Sequence, residues 1–269
     1  MRTNNPVLTR LGADAARERE ANPQVFGQQA AQAAYPTDES VLGTAPPDTR
    51  AMTIDDVVVR TIGLVGLTAL SAGFVWTMVP QPTAMALVLP SIMIGLVLGL
   101  VIAWKRVTNP LAIGAYAVVM GAALGAISEF FETRFPGIVM QAVIATLGVF
   151  LLMGFLYKSG TIRATPKFIK FMTAALVGAA AVIVINLVIT MITGEATPLR
   201  DGEPLSIIVS LVFIVIAALS FILSFHEVEE GVRLGLPQKY AWACAFGILV
   251  SLIWLYIEVL RLLSFLQGE

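Results

Sequence analysis

The chain is short of the residues on which most protein chemistry depends. It has one cysteine, Cys244, and one histidine, His226. A lone cysteine excludes a disulfide within the chain, and a Cys/His zinc cluster needs ligands that are not there. Charged residues make up 13% of the sequence, against about 25% in soluble domains, so the solvated surface is small. The 17 Lys and Arg nearly cancel the 18 Asp and Glu, which leaves no polycationic surface to neutralise phosphates and excludes nucleic acid as a partner. Catalytic signatures are missing as well. There is no HExxH, no CxxC and no glycine-rich nucleotide fingerprint, and Lys158-Ser159-Gly160-Thr161 lacks the glycine loop of a phosphate-binding turn. The last apolar stretch has no lysine for a retinal Schiff base. Ser128 and His226, the components of a serine protease, fall at the outer end of the third span and the inner end of the sixth, so topology separates them by most of the membrane. These absences point away from an enzyme and call for no cofactor.

What the chain has in excess is hydrophobic sequence, at 57% of residues against about 45–50% for soluble proteins. Its mean hydropathy of +0.84 averages a polar beginning with a far more apolar remainder. Residues 1 to about 50 carry glutamines, the patch Arg17-Glu18-Arg19-Glu20 and the breakers Pro36, Pro46 and Pro47, and read as a mostly disordered tail. Asn4, Asn5 and Pro6 stand where a signal peptide would begin its apolar region, so the tail is expected to be retained. Residues 51–269 read as a membrane domain. Seven stretches there, at about 57–79, 83–104, 111–128, 137–157, 168–193, 205–225 and 241–266, approach the roughly 20 residues needed to cross a bilayer core. Pro80, Pro82, Asn109-Pro110, Pro136-Gly137, Pro166, Pro198, Pro204 and Pro237 separate them. Thr53-Ile54-Asp55-Asp56 puts a hydroxyl at the first helix start and acids in its first turn, where the helix dipole favours them.

The spread of lysine and arginine sets the expected orientation. Lys105 and Arg106 follow the second span, Lys158, Arg163, Lys167 and Lys170 follow the fourth, and Arg233 and Lys239 follow the sixth. The opposite connections hold only Arg134 and Arg200, so the N-terminus is expected in the cytoplasm and the C-terminus outside. An odd count also divides into three, three and one, since a tandem three-helix unit must insert its second copy upside down. Glu129 with Glu132, and Glu227 with Glu229 and Glu230, stand at corresponding ends of the third and sixth spans, as such a repeat or two ordinary solvated helix ends would have them. Gly95-x-x-x-Gly99 and Gly121-x-x-x-Gly125 let helix backbones approach closely, and they are expected to pack the chain's own bundle.

Ionisable groups inside the spans need a reason, because a charge at the bilayer centre costs about 2.5–3.5 kcal/mol on insertion scales. Arg60 lies under two turns inside the first span and can snorkel. Glu258 lies deeper in the last span, with Arg261 three residues on and on the same face. The two read equally as a structural ion pair or as part of an ion or proton path.

Several tracts resemble one family: Met1-Arg2-Thr3-Asn4-Asn5-Pro6-Val7-Leu8, Met52-Thr53-Ile54-Asp55-Asp56-Val57-Val58, Gly125-Ala126-Ile127-Ser128, Tyr157-Lys158-Ser159-Gly160 and Leu255-Tyr256-Ile257-Glu258-Val259-Leu260-Arg261-Leu262-Leu263. In this combination they look like the bacterial branch of the Bax inhibitor-1 family, also called the transmembrane Bax inhibitor motif or YccA-like family. The resemblance implies an all-α bacterial plasma-membrane protein with two inverted three-helix units around a central seventh helix. It implies members that are pH-sensitive calcium leak channels, closed by a hydrogen-bonded aspartate pair whose coupled titration biases two conformations. With Phe225 and Arg261 as anchors, those aspartates fall at Ser224 and Ser251, which cannot titrate. Replacement sensors would be His226, whose unperturbed pKa of about 6.5 lies near neutrality, or Glu227. A solvated helix end is the plainer reading of His226. Oxygen ligands from Glu227, Glu229, Glu230 and Glu258 would suit a hard cation such as calcium. The resemblance also implies an alternative, a non-conducting protein that modulates a membrane-bound AAA protease through its tail.

Overall fold

The computed structural model describes residues 50–193 and 204–268. The tail expected over residues 1–50 therefore lies almost wholly outside the described residues, as do Pro198 and Arg200. Seven helices are described: α1 (Ile54–Met78), α2 (Gln81–Lys105), α3 (Pro110–Arg134), α4 (Ile138–Lys158), α5 (Pro166–Thr193), α6 (Pro204–Arg233) and α7 (Tyr240–Gln267). Each is long and apolar enough to cross a bilayer. The shortest, with 21 residues, extends about 31 Å at 1.5 Å per residue, which matches the hydrocarbon thickness. The protein is thus an all-α multi-pass membrane protein.

Local sequence explains the helix starts. Thr53 caps α1, its hydroxyl accepting from the Asp56 amide at 3.2 Å while the Asp56 carboxylate accepts from the Thr53 amide at 3.0 Å. Asn109 caps α3 by accepting from the Leu111 amide at 2.9 Å, with Pro110 in the first position, where no amide is needed. Two helices run further than hydropathy implies. The third span was expected to end near residue 128 and the sixth near 225, whereas α3 continues through Glu129 and Glu132 to Arg134 and α6 continues through the Glu227–Glu230 acids to Arg233. Hydropathy falls where a helix leaves the bilayer, but Glu and Arg are good helix formers and carry the helix on into water.

α7 packs against α1, α3, α4 and α6. Leu249, Leu255, Leu260 and Ala245 on α7 are essentially buried, as are Phe221 and Ile222 on α6. The two triplets around it repeat one pattern: α3 packs on α1 and α2, and α6 packs on α4 and α5. The glycine pairs work inside this bundle. A Cβ on Gly121 would stand 2.5 Å from the Thr68 carbonyl oxygen, and one on Gly125 would collide with the Ala72 backbone, so both let α3 lie against α1. Gly95 and Gly99 of α2 instead receive Met120 and Tyr116 of α3. The outer faces carry Leu70, Phe74, Ile144, Leu151, Phe155 and Phe171, all exposed and suited to lipid.

Candidate functional site: the α6–α7 seam and its two ends

Buried hydroxyls midway along α6 and α7 meet in one seam. Ser220 and Ser224, four apart on α6, share a face, as do Gly247 and Ser251 on α7. Ser220 Oγ stands 2.9 Å from Ser251 Oγ and 2.7 Å from the Ala217 carbonyl oxygen. Ser224 donates to the Ser220 carbonyl at 3.3 Å, and a Cβ on Gly247 would lie 3.8 Å from its Oγ. All three serines are buried. The seam thus contains both positions singled out from the sequence, but Ser251 is bonded by Ser220, while Ser224 faces Gly247 one turn away. Antiparallel helices impose this, because a step of four up one helix is matched by a step of four down its neighbour. Ser220 was missed in the sequence, although its i,i−4 relation to Ser224 was there to be read.

Aromatic rings close the α4 side of the seam. Phe150 packs on Phe221 and Phe225 with centroids 5.2 and 5.8 Å apart, and Tyr157 packs on Phe225 at 5.8 Å. Beyond them the end of α6 carries its acids. The Tyr157 hydroxyl donates to the Glu229 carboxylate, and Glu230 pairs with Arg233 at 2.6 Å. Glu227 is exposed, with Arg106 and His226 acting on it electrostatically, and His226 is half-buried on the adjoining position.

The other end of α7 is built differently. Glu258 is 1% exposed, and Arg261 Nη1 donates to both of its carboxylate oxygens at 2.9 Å. One turn on, the Ser264 hydroxyl donates to the Arg261 carbonyl at 2.7 Å. Ser128 on α3 and Tyr256 on α7 share a hydrogen bond of 2.7 Å, so Ser128 has a tyrosine partner. Glu132 accepts from the Gly137 and Val139 amides at 2.6 and 3.0 Å and so caps α4, while Glu129 Oε2 is buried without a hydrogen-bond partner among the described residues. Glu258 lies about 27 Å along α7 from Tyr240, where the helix begins beside the end of α6. It therefore does not come together with Glu227, Glu229 and Glu230. Among the described residues no three His, Cys, Asp or Glu side chains are grouped so as to hold a metal ion.

Seven apolar helices, one of them central and carrying buried polar groups both at the α6–α7 seam and at its far end, define a polytopic helical membrane protein. The chain matches the family described as Bax inhibitor 1 like over residues 5–268, and it belongs to that family. No curated protein matches it.

Proposed function

We propose that the protein is a non-enzymatic cation leak pathway, with calcium as its ion, closed along the α6–α7 seam. The observation that carries this reading is the Ser220–Ser251 hydroxyl pair, buried mid-membrane between two helices at the level where the family resemblance puts an aspartate gate. Hydroxyls can hold such a seam shut, at about 0.6 kcal/mol per interhelical bond on average, but they cannot titrate between pH 5 and 8. The leak is therefore insensitive to pH at the seam. The protein acts in a bacterial plasma membrane, with the Lys- and Arg-rich connections, and hence the N-terminus, in the cytoplasm.

The test is calcium flux into liposomes at acid and alkaline pH. The natural protein should pass calcium at both, and a Ser220→Asp, Ser251→Asp double replacement should add pH dependence because the two carboxyls now share a proton. A parallel Ser224→Asp, Ser251→Asp protein, whose carboxyls are a turn out of step, should add less. Absence of flux from all three overturns the reading.

A second reading, modulation of a membrane-bound protease through the tail, has one observation in its favour. Residues 50–52 are tied to the α6–α7 connection by the Ala51–Pro237 bridge and by the Met52 amide, which donates to the Leu236 carbonyl at 2.7 Å. Whatever engages the tail would pull on that connection. Deleting residues 1–49 should leave flux intact under the first reading and abolish partner binding under the second.

A further inference from the structure

A recess of about 620 Å³ opens between the start of α1 and the start of α7, away from the seam. Its walls include Arg50, Asp55, Asp56, Arg60, Gly63 and Trp242. The volume lies within the range of about 300–1,000 Å³ typical of small-molecule sites.

Depth comes first. α1 has 25 residues and so extends about 37 Å, leaving only two or three residues at each end outside a hydrocarbon core of about 30 Å. Arg50 and Asp55 therefore stand at headgroup level, and Val59 and Gly63 at the level where acyl chains begin. The Arg60 side chain leans back toward the helix start, as helical side chains do, and its Nη1 donates to the Asp56 carbonyl at 2.8 Å. Its guanidinium thus returns to the headgroup level and lies 5.3 Å from the centre of the Trp242 ring. A tryptophan at that depth is a usual interfacial anchor.

Charge comes second. Asp56 is already engaged. It accepts from Gln238 Nε2 at 2.7 Å and from Thr53, lies 3.4 Å from Arg60 and lies 3.7 Å from Arg50. The Arg60 side chain is 16% exposed at the recess wall, while its Nε is buried, without a hydrogen-bond partner among the described residues, and closed to the opening. Among the described residues the Arg50 side chain has only the long contact to Asp56, and it is 59% exposed. Asp55 is exposed. The recess therefore offers the exposed Arg50 guanidinium, the exposed part of Arg60 and the exposed Asp55 carboxylate together, with no net charge: two arginines against two aspartates. A simple anion would meet Asp55 as an opponent. A zwitterion carrying a phosphate and an ammonium would find a partner for each of its charges.

Hydrophobic shape comes third. Val59 is 68% exposed, and a Cβ on Gly63 would touch nothing within 4 Å among the described residues, so an open apolar track leads from the charged mouth along α1 toward the membrane interior. An acyl chain fits that track, and a small soluble phosphoester would leave it empty.

We propose that this recess binds one phospholipid with a zwitterionic, primary-ammonium headgroup, its phosphate on Arg50 and Arg60, its ammonium on Asp55 and its chain against Val59 and Gly63. The site does not depend on the leak reading.

The test uses the full chain, stripped of lipid in detergent and titrated with phosphatidylethanolamine, phosphatidylglycerol, phosphatidylcholine or soluble phosphoethanolamine, with bound species read by native mass spectrometry. One phosphatidylethanolamine should be retained in preference to the other two lipids, whose headgroups lack the ammonium or hide it behind methyl groups. Arg50→Ala should weaken retention about fivefold, as for loss of one partly exposed charge contact, and Arg50→Lys should restore part of it. Asp55→Asn should abolish the preference for phosphatidylethanolamine over phosphatidylglycerol. Both side chains are exposed, so the variants should keep the thermal midpoint of the natural protein, which is checked alongside. Equal retention of the three lipids, or retention and preference unchanged in both variants, overturns the proposal. Soluble phosphoethanolamine binding as tightly as the lipid overturns the lipid as its source.

Discussion

Glu258 is 1% exposed, and both of its carboxylate oxygens are within 2.9 Å of one guanidinium nitrogen of Arg261. Removing one member of such a pair leaves a buried charge without its counter-ion, at a cost of about 3–5 kcal/mol, whereas removing both leaves none. Glu258→Gln should therefore lower the thermal midpoint in detergent clearly, and the Glu258→Gln, Arg261→Gln double replacement should recover much of the loss. Equal midpoints for the single and double variants would mean that the pair contributes nothing as a pair. That these two residues meet was legible in the sequence, because three residues along a helix always share a face. The partner of Ser128 was not legible, because Tyr256 lies 128 positions away and only packing of α3 on α7 brings it near. Arg60 lies between these cases. Its backward lean follows from helix geometry, but its place over Trp242 depends on how α1 meets α7.

Among the helices, close approach is decided by glycine position. α3 lies against α1 because Gly121 and Gly125 face the Thr68 and Ala72 backbone. A methyl at Gly121 would need about 0.5–1 Å of helix displacement to relieve a 2.5 Å contact, and overpacking of this kind costs about 1–3 kcal/mol. Gly148 of α4 is the control, since a Cβ there meets nothing within 4 Å. Gly121→Ala should lower the unfolding midpoint, while Gly148→Ala should hold or raise it by the equivalent of about 0.5–1 kcal/mol, the usual gain of alanine over glycine within a helix. Matching losses at both positions would show that helix propensity, not contact, governs them. The glycine spacing was plain in the sequence. Which glycines meet backbone and which meet flexible side chains such as Met120 was not, because spacing identifies a face and says nothing of what lies opposite.

For the whole molecule, seven crossings place successive connections on alternating sides. In a Cys244→Ser background, single cysteines at residues 80 and 136 should react with an impermeant reagent from one side only, and those at 107, 162 and 236 from the other. Labelling of 136 and 236 from the same side would break the seven-span topology. The side reached from the cytoplasm should be that of 107, 162 and 236, where the basic residues gather. The pairing of triplets around α7 also belongs to this scale. The odd count and the two acidic helix ends suggested it, and the repeated packing of a third helix on a first and a second gives it form.

By itself the sequence determined the class, the number of helices, most of their boundaries within a few residues, and the local caps and ion pairs. These are properties of single segments, set by runs of transfer free energy and by neighbours within one helical turn. Only the tertiary structure decided which serine meets Ser251 and that the starts of α1 and α7 enclose a charged recess. Two apolar helices can slide past each other by a turn with almost no change in the surface they bury. Register is therefore left to small contacts between segments, and no single segment contains them.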